Sequence, residues 1–177
     1  GIRQPGGLDI EPNNTFQTCE HISIGSAVVR GAGVTNFGIY GTTSGMSEDW
    51  IVRDVSVGSL SVENTDATAT DICAAASFQR VNGLTVNVVA TANMSGAGNG
   101  VLIDRAKNVI ANISVRKAPI GVTIGKTGSV RQSKIDCIVQ SYSVAGVQVR
   151  AAADCTFGGS VKGATTAVGT VAVKVRS

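Results

Sequence analysis

The chain has 177 residues, of which 43% are apolar and only 4% aromatic, and its formal net charge is +3. This length fits one domain with a thin core, and a total of only three prolines argues against a proline-rich disordered segment. No run of 18 apolar residues exists, so no membrane insertion is expected, and dispersed basic residues without an aromatic stacking platform argue against a nucleic-acid partner.

Short strand-like segments recur along the chain in two forms. The first has the pattern G-Φ-x-Φ, where Φ is apolar, and a second segment of the pattern x-Φ-x-Φ follows it 12 to 16 residues later. In chain order the first form occurs as GLDI at Gly7, GIYG at Gly38, DICA at Asp71, GVLI at Gly100, GVTI at Gly121, GVQV at Gly146 and AVKV at Ala172. The second form occurs as HISI at His21, DVSV at Asp54, GLTV at Gly83, NISV at Asn112, KIDC at Lys134 and SVKG at Ser160.

A repeat of this size built from period-two strands predicts a stacked parallel β-solenoid of about six to seven coils, in a single domain over residues 1–177. A third β segment per coil is expected at residues 27–29, 60–62, 88–90 and 138–140. The first inward column is predicted as Leu8, Ile39, Ile72, Val101, Val122, Val147 and Val173. The second is predicted as Ile22, Val55, Leu84, Ile113, Ile135 and Val161.

The coils differ in length and in charge along the predicted rod. Spacings between first segments are 31, 33, 29, 21, 25 and 26 residues, which predicts long-loop coils over about 1–99 and a short-coil shaft over about 100–177. Residues 1–88 carry nine acidic and four basic side chains, a balance of −5, whereas residues 89–177 carry eleven basic and three acidic ones, a balance of +8. Scattered surface charges that keep a rod soluble, or a basic surface facing an anionic partner, both fit this division.

The four cysteines, Cys19, Cys73, Cys137 and Cys155, lie far apart and show no metal-ligand spacing. We therefore expect free thiols, assembly in a reducing cytoplasm, and neither a metal nor another cofactor. The chain begins without methionine, only a few residues before its first strand, which predicts an excised fragment or a processed product.

Two acidic residues in the segment GGLDIEPNN are the first candidates for chemistry. Leu8 and Ile10 are expected to face inward, so Asp9 and Glu11 project from the same outer face, about 7 Å apart at the backbone. Such a carboxylate pair suits glycoside hydrolysis, in which one group protonates the leaving oxygen and the other acts as nucleophile or activates water, with retaining and inverting outcomes both open. Alternatively, Asp9 and Glu11 are ordinary solvent-facing strand residues without a catalytic role. The predicted register places Asp9 over Tyr40 and Cys73, so that Tyr40 could stack on a sugar or transfer a proton.

Further candidates lie on the same long coils. His21, the single histidine, is expected to face outward on a strand, either as an ordinary exposed residue or as a proton-transfer group for a lyase. Glu48, Asp49 and Trp50 form an acidic and aromatic cluster on a predicted loop, where the ring could cover a sugar face and the carboxylates could accept hydroxyl protons.

The segments GGLDIEPNN, HISIGSAVV and NFGIYG together resemble the G-[IL]-D-I-E-P-N region of pectate-lyase-like right-handed parallel β-helices, especially bacteriophage tailspike depolymerases. The resemblance is strong over about residues 6–41 and continues through the rest of the chain as generic β-helix rungs; its motif is more specific for the fold than for the chemistry. It implies a fragment of a homotrimeric spike of the virion tail, assembled in the host cytoplasm, which binds and cleaves bacterial surface polysaccharide such as capsule, exopolysaccharide or O-antigen. The resemblance implies a catalytic role for Asp9 and Glu11 only.

Three functions remain open from sequence: a depolymerase acting as hydrolase or lyase, a glycan-binding module that does not cleave, and a purely structural trimeric shaft. A lyase would require an acidic uronate, a neutralising group and a base, for which Arg53, His21 and Tyr40 are available. The long coils, the acidic half and the GGLDIEPNN strand coincide, so function is expected on rungs one to three.

Overall fold

The computed structural model describes residues 7–12, 18–31, 35–41, 52–65, 73–93 and 98–163, together with the backbone of residues 171–175. These residues form strands and connecting turns, without a helix. The strands are β1 (Leu8–Ile10), β2 (Cys19–Gly31), β3 (Thr35–Tyr40), β4 (Val52–Asn64), β5 (Ala74–Gln79), β6 (Val81–Ala92), β7 (Asn99–Asp104), β8 (Lys107–Ile124), β9 (Val130–Arg131), β10 (Lys134–Val139), β11 (Tyr142–Val149), β12 (Ala152–Ala153), β13 (Thr156–Val161) and β14 (Val171–Val175). No helix in this part of the chain is therefore long and apolar enough to cross a membrane.

The strands stack as a parallel β-solenoid, as the repeat predicted, and the structure has about five turns where the repeat predicted six to seven. Sheet 1 contains β1, β3, β5, β7, the C-terminal part of β8, β11 and β14, each paired in parallel with the next. Sheet 2 contains β2, β4, β6, the N-terminal part of β8, β10 and β13, paired in the same way. The chain alternates between the two sheets, so each coil lies directly on the previous one.

Sheet 2 strands are long because they continue around a bend. In β2 and β4 inward and outward residues alternate, except at two places in each strand where two consecutive residues are exposed: Glu20–His21 and Gly25–Ser26 in β2, and Arg53–Asp54 and Gly58–Ser59 in β4. Two outward residues in succession turn the strand while its next residue again faces the core. The third segments predicted at 27–29, 60–62 and 88–90 are therefore the second halves of the same long strands, and they pair with one another. The segment predicted at 138–140 overlaps only the end of β10, and Gln140 lies beyond that strand.

A column of left-handed residues forms one corner of the solenoid. His21, Asp54, Gly83, Asn108, Gln132 and Asp154 all have φ between 49° and 79°. The residues that directly precede them in sequence pair with one another from rung to rung. These are Glu20, Arg53, Asn82, Lys107, Arg131 and Ala153. Glycine, aspartate, asparagine and histidine adopt this conformation more readily than other residues. The same backbone bend is thus repeated on every rung of sheet 2.

The observed register corrects part of both predicted columns. Leu8 pairs with Phe37 and not with Ile39, and Ala76 occupies the next place, while Ile72 lies outside the described residues. Apolar residues occur at both inward positions of β3, so a slip of two residues leaves the apolar pattern unchanged. From Val101 through Val122 and Val147 to Val173 the predicted column is confirmed.

In sheet 2 the prediction for the second column holds for Ile22, Val55 and Leu84 and then fails. Leu84 is followed by Val109, whereas Ile113 pairs with Val88 and Ile135 pairs with Ala111. The left-handed residue just before each of these inward positions is the signal that identifies the true register, since Asn108 precedes Val109 as Gly83 precedes Leu84.

The interior is narrow and filled by small aliphatic side chains. Phe37 and Phe78 are the largest of its fully buried side chains, and their ring centroids lie 6.0 Å apart. All four cysteines are free thiols, as predicted. Burial among these apolar groups, and secondarily the charge of Asp136, raises the pKa of Cys137 to about 12.

The two outer faces differ. On sheet 2 the outward residues are largely exposed, and ion pairs join the first two rungs, Arg53 with Glu20 and Arg30 with Glu63. On sheet 1 the outward column that pairs Gly38 with Ser77, Leu102, Thr123 and Gln148 is buried. The expectation that residues between inward positions face solvent is therefore wrong for sheet 1, which resembles a parallel sheet covered on both sides.

The left-handed corner generates a stability prediction at Gln132, whose φ is 49° and whose side chain is exposed. A β-branched residue is especially strained there, so Gln132→Val is expected to lower the free energy of unfolding by about 1–2 kcal/mol, whereas Gln132→Gly stays within about 1 kcal/mol of the wild type. Urea unfolding measures both. Gln140→Val is the matched control, because Gln140 is exposed but is not left-handed. Equal effects of Gln132→Val and Gln140→Val would contradict the role assigned to this corner.

Candidate functional site

Asp9 and Glu11 lie on the outermost described rung of sheet 1. Ile10, between them, packs against the core, so both carboxylates project from the opposite face. Asp9 is half-buried, whereas Glu11 is exposed. The alternation predicted for this strand thus brings the two carboxylates to one face, in unequal environments.

Tyr40, at the end of β3, joins this pair. Asp9 pairs with Gly38 rather than with Tyr40, which corrects the predicted register by two residues, and continuing that register places Glu11 beside Tyr40. The Tyr40 ring folds back over Gly38: a Cβ atom at Gly38 would lie 2.0 Å from Tyr40 Cε2. Only glycine at position 38 leaves room for the ring beside Asp9.

Two hydroxyl groups hold Tyr40 in this position. The side chains of Thr35, in the same strand, and Ser77, on the next rung, hydrogen bond to Tyr40. Both are buried. Sequence reasoning missed Thr35, Gly38 and Ser77 as parts of the site, because their contribution depends on the register. Pairing of the NFGIYG strand with the AAASFQ strand is the signal that would have found them.

Burial and charge favour the protonated form of Asp9. Burial, and secondarily the neighbouring negative charge of Glu11, raises the pKa of Asp9 above its ordinary value of 3.8. Asp9 Oδ1 is fully buried and has no hydrogen-bond partner among the described residues. An unpaired buried carboxylate oxygen favours the protonated acid. Asp9 is therefore suited to donate a proton, and the exposed Glu11 lies beside it on the same face.

The environment also keeps Tyr40 protonated. Burial is the main cause that raises its pKa above 10, the charges of Asp9 and Glu11 raise it further, and hydrogen bonds from Thr35 and Ser77 oppose the shift. A neutral phenol can donate a hydrogen bond to a substrate or present its ring to a sugar face. It is a poor general base near neutral pH.

The other sequence candidates are not brought to this cluster. His21 lies on β2 in sheet 2, where its Nδ1 atom is 3.6 Å from Asp54 Oδ2 and both side chains are exposed. Glu48, Asp49 and Trp50 lie outside the described residues. In the described part of the chain, no group of three or more His, Cys, Asp or Glu side chains is arranged to hold a metal ion.

Comparison of the chain with protein-family models, with curated proteins and with solved structures finds no match. The structure establishes the parallel β-solenoid. Any chemical role must therefore be inferred from the residues of the site.

The raised pKa of Asp9 predicts a pH-dependent gain in stability for Asp9→Asn. Below the unfolded pKa of 3.8 the carboxyl is protonated in both states, so its contribution to stability is fully present. That contribution is lost as the pH rises through the raised folded pKa. Asp9→Asn is thus expected to be more stable than the wild type at about pH 7, with the advantage disappearing at about pH 3. Urea unfolding at the two pH values measures this, and a difference that does not change with pH would contradict it.

Gly38→Ala is expected to displace the Tyr40 ring from its buried position. Because burial is the main cause of the raised pKa, the pKa of Tyr40 should fall toward 10 in this variant. Tyrosinate absorbance, recorded in a Tyr142→Phe background to remove the second tyrosine, measures the shift. Ser77→Ala is the control that removes one hydrogen bond without adding bulk. An unchanged Tyr40 pKa in Gly38→Ala would show that the ring does not lie over Gly38.

Proposed function

We propose that this chain belongs to a polysaccharide depolymerase that binds and cleaves bacterial surface polysaccharide by hydrolysis, with Asp9 as acid and Glu11 as its ionised partner. The observation that carries the proposal is the pair of carboxyl groups on one face of β1, one half-buried with a raised pKa and one exposed. Carboxyl groups whose environments push their protonation apart are what glycoside hydrolysis uses.

The reaction consumes one water molecule. The Asp9 carboxyl donates its proton to the departing glycosidic oxygen as the bond to the anomeric carbon breaks. The Glu11 carboxylate either takes a proton from the attacking water or attacks the anomeric carbon itself, in which case water then releases the sugar from Glu11 and returns the proton to Asp9. In the covalent course the enzyme ends in its starting protonation state. In the other course Asp9 ends ionised and Glu11 protonated, and proton exchange with solvent water restores both groups.

Hydrolysis fits the site better than elimination. A lyase needs a base that removes a proton from carbon, and Tyr40 and His21 were the candidates. The pKa of Tyr40 is raised, which makes its phenolate scarce near neutral pH, and His21 lies on the other sheet. Tyr40 is better suited to orient the sugar beside Asp9, through its ring and its hydroxyl.

The biological setting of the proposal comes from the tailspike-like segment GGLDIEPNN and its following rungs. We place the solenoid in a homotrimeric spike of a phage tail, assembled in the host cytoplasm and acting at the bacterial surface. The parallel β-solenoid supports this setting because a rigid rod presents a long surface to an extended polymer.

The test is release of reducing ends from a panel of purified capsules, exopolysaccharides and O-antigens. The wild-type chain is expected to cleave one of them, and Asp9→Asn and Glu11→Gln are each expected to lower the rate by about 10²–10⁴-fold, the usual contribution of acid–base groups. Asp54→Asn, which removes an exposed carboxylate on sheet 2, is the matched control and should retain the wild-type rate.

Cleavage that persists at the wild-type rate in both Asp9→Asn and Glu11→Gln would refute the catalytic assignment. Binding of a polysaccharide by the wild type without release of product would instead make the chain a glycan-binding module. Products that absorb in the ultraviolet as unsaturated sugars would show elimination rather than hydrolysis.

A further inference from the structure

The outward column of sheet 1 that begins at Asp9 has a gap, which the Tyr40 hydroxyl fills. Asp9 pairs with Gly38, and Gly38 pairs with Ser77, so these three positions stack on consecutive rungs. Gly38 has no side chain, and a Cβ atom there would lie 2.8 Å from Tyr40 Oη. The Tyr40 hydroxyl therefore lies in the column itself, with Asp9 on the rung to one side and Ser77 on the rung to the other.

Gln79 repeats this arrangement one rung further along. It pairs with Tyr40, and its side chain also folds back along its own strand, because Gln79 Nε2 donates a hydrogen bond to Ser77 Oγ at 2.8 Å. Ser77 is fully buried, and its neighbour on the following rung is the apolar Leu102. Among the described residues, the side chains that hydrogen bond to Ser77 are those of Gln79 and Tyr40.

The hydrogen bonds of this group run in one direction. A serine hydroxyl has one proton to donate and accepts through its lone pairs. Because Ser77 Oγ accepts from Gln79, the Ser77 proton is available to Tyr40 Oη. The Thr35 hydroxyl donates to the same phenol oxygen. Tyr40 thus accepts from two hydroxyl groups, and its single proton is left to point elsewhere. Each bond in such a chain polarises the next, which makes the phenol a stronger donor.

Asp9 lies on the side of Tyr40 that is left for this proton. Asp9 Oδ1 is fully buried and has no hydrogen-bond partner among the described residues. A buried carboxylate without a hydrogen bond is far more costly than a buried neutral acid, so the need for a donor arises when Asp9 ionises. The charge of Glu11 opposes that ionisation and cannot supply the donor. The Tyr40 hydroxyl, over the paired residue Gly38, is one rung away, about 4.8 Å at the backbone.

We propose that Gln79, Ser77 and Tyr40 form a hydrogen-bond relay that donates to the Asp9 carboxylate after Asp9 has protonated the departing glycosidic oxygen. The inference rests on the proposed function and adds to it a positioning residue, Gln79, which sets the direction of the Ser77 hydroxyl. Tyr40 keeps its proton throughout, since burial raises its pKa above 10. The relay therefore transfers no proton. It is a fixed donor, aimed at the oxygen on which negative charge develops.

The test measures the acid strength of Asp9 in Tyr40→Phe and in Gln79→Met, by carbon-13 NMR titration of the aspartate carboxyl groups. The Asp9 signal is the one that is missing from Asp9→Asn. Tyr40→Phe is expected to lower the acid dissociation constant of Asp9 by about tenfold or more, the loss of a hydrogen bond to a charged group, and Gln79→Met by about threefold. Loosened packing would act with the opposite sign, because exposure of Asp9 returns its pKa toward 3.8.

Tyr40 provides a second measurement in which the sign also distinguishes the relay from a packing effect. In Gln79→Met the pKa of Tyr40 is expected to rise further, because the Ser77 hydroxyl is no longer held as its donor. Loss of burial would instead lower this pKa toward 10. Tyrosinate absorbance in the Tyr142→Phe background records the change.

Gln148→Met is the matched control. Gln148 is a buried glutamine in the same outward column as Ser77, three rungs further along. Its replacement should leave the acid strength of Asp9 unchanged, and an effect equal to that of Gln79→Met would overturn the relay. An Asp9 pKa that is unchanged or lower in Tyr40→Phe would also overturn it. Unchanged pKa values of Asp9 and Tyr40 in Gln79→Met would refute the role of Gln79.

Cleavage assays separate this inference from the proposed function. The titrations need no substrate, so if the wild type cleaves no polysaccharide while Asp9 and Tyr40 titrate as expected, the proposed function fails and the relay stands. If the wild type cleaves one, Tyr40→Phe is expected to lower the rate by about tenfold. Cleavage at the wild-type rate in both Tyr40→Phe and Gln79→Met would overturn the part of the relay in proton donation and leave hydrolysis at Asp9 and Glu11 intact.

Discussion

Parallel pairing of each coil with the next is the constraint on which the rest of the structure depends. Every backbone position is repeated at about 4.8 Å along the rod, so a residue that suits one rung must suit the column above and below it. Apolar residues fill the columns from Ile10 to Val149 and from Ile22 to Val109 for this reason. For the same reason, the backbone bends at equivalent positions in successive coils.

The corners give the solenoid its chemistry. Side chains inside are excluded from water, and the outer face of sheet 1 is itself largely buried, so polar groups reach solvent mainly where the chain bends or where the stack ends. The acidic cluster of Asp9, Glu11 and Tyr40 lies on the two outermost described rungs of sheet 1. Arg80 lies two rungs from Glu11 in this register, at the point where the strands of that sheet end. Opposite charges are thus placed along one edge of a rigid rod.

The sequence was sufficient for the solenoid and for the pairing of Asp9 with Glu11, because both follow from the period-two pattern within single strands. It was insufficient for contacts between rungs. The observed register differs from the predicted one by two residues, so that Asp9 pairs with Gly38 rather than with Tyr40. Because a shift of two residues keeps the same face of the strand inside, the apolar pattern cannot distinguish the two registers. The left-handed residues supply the missing information. They place the start of two rungs at Asn108 and Gln132, whereas the apolar pattern predicted these starts four and two residues later, at Asn112 and Lys134. The stacking of Arg80 next to Arg105 depends on the same register and so could not be foreseen.

The register itself is therefore the most direct test of this account, and cross-strand nuclear Overhauser effects between backbone protons measure it. The account predicts contacts that join Asp9 with Gly38, Tyr40 with Gln79 and Arg80 with Arg105. Together they would place the carboxyl pair, the tyrosine and the arginines along one edge. Contacts that join Asp9 with Tyr40 would show the alternative register, would separate Glu11 from Tyr40, and would contradict the account.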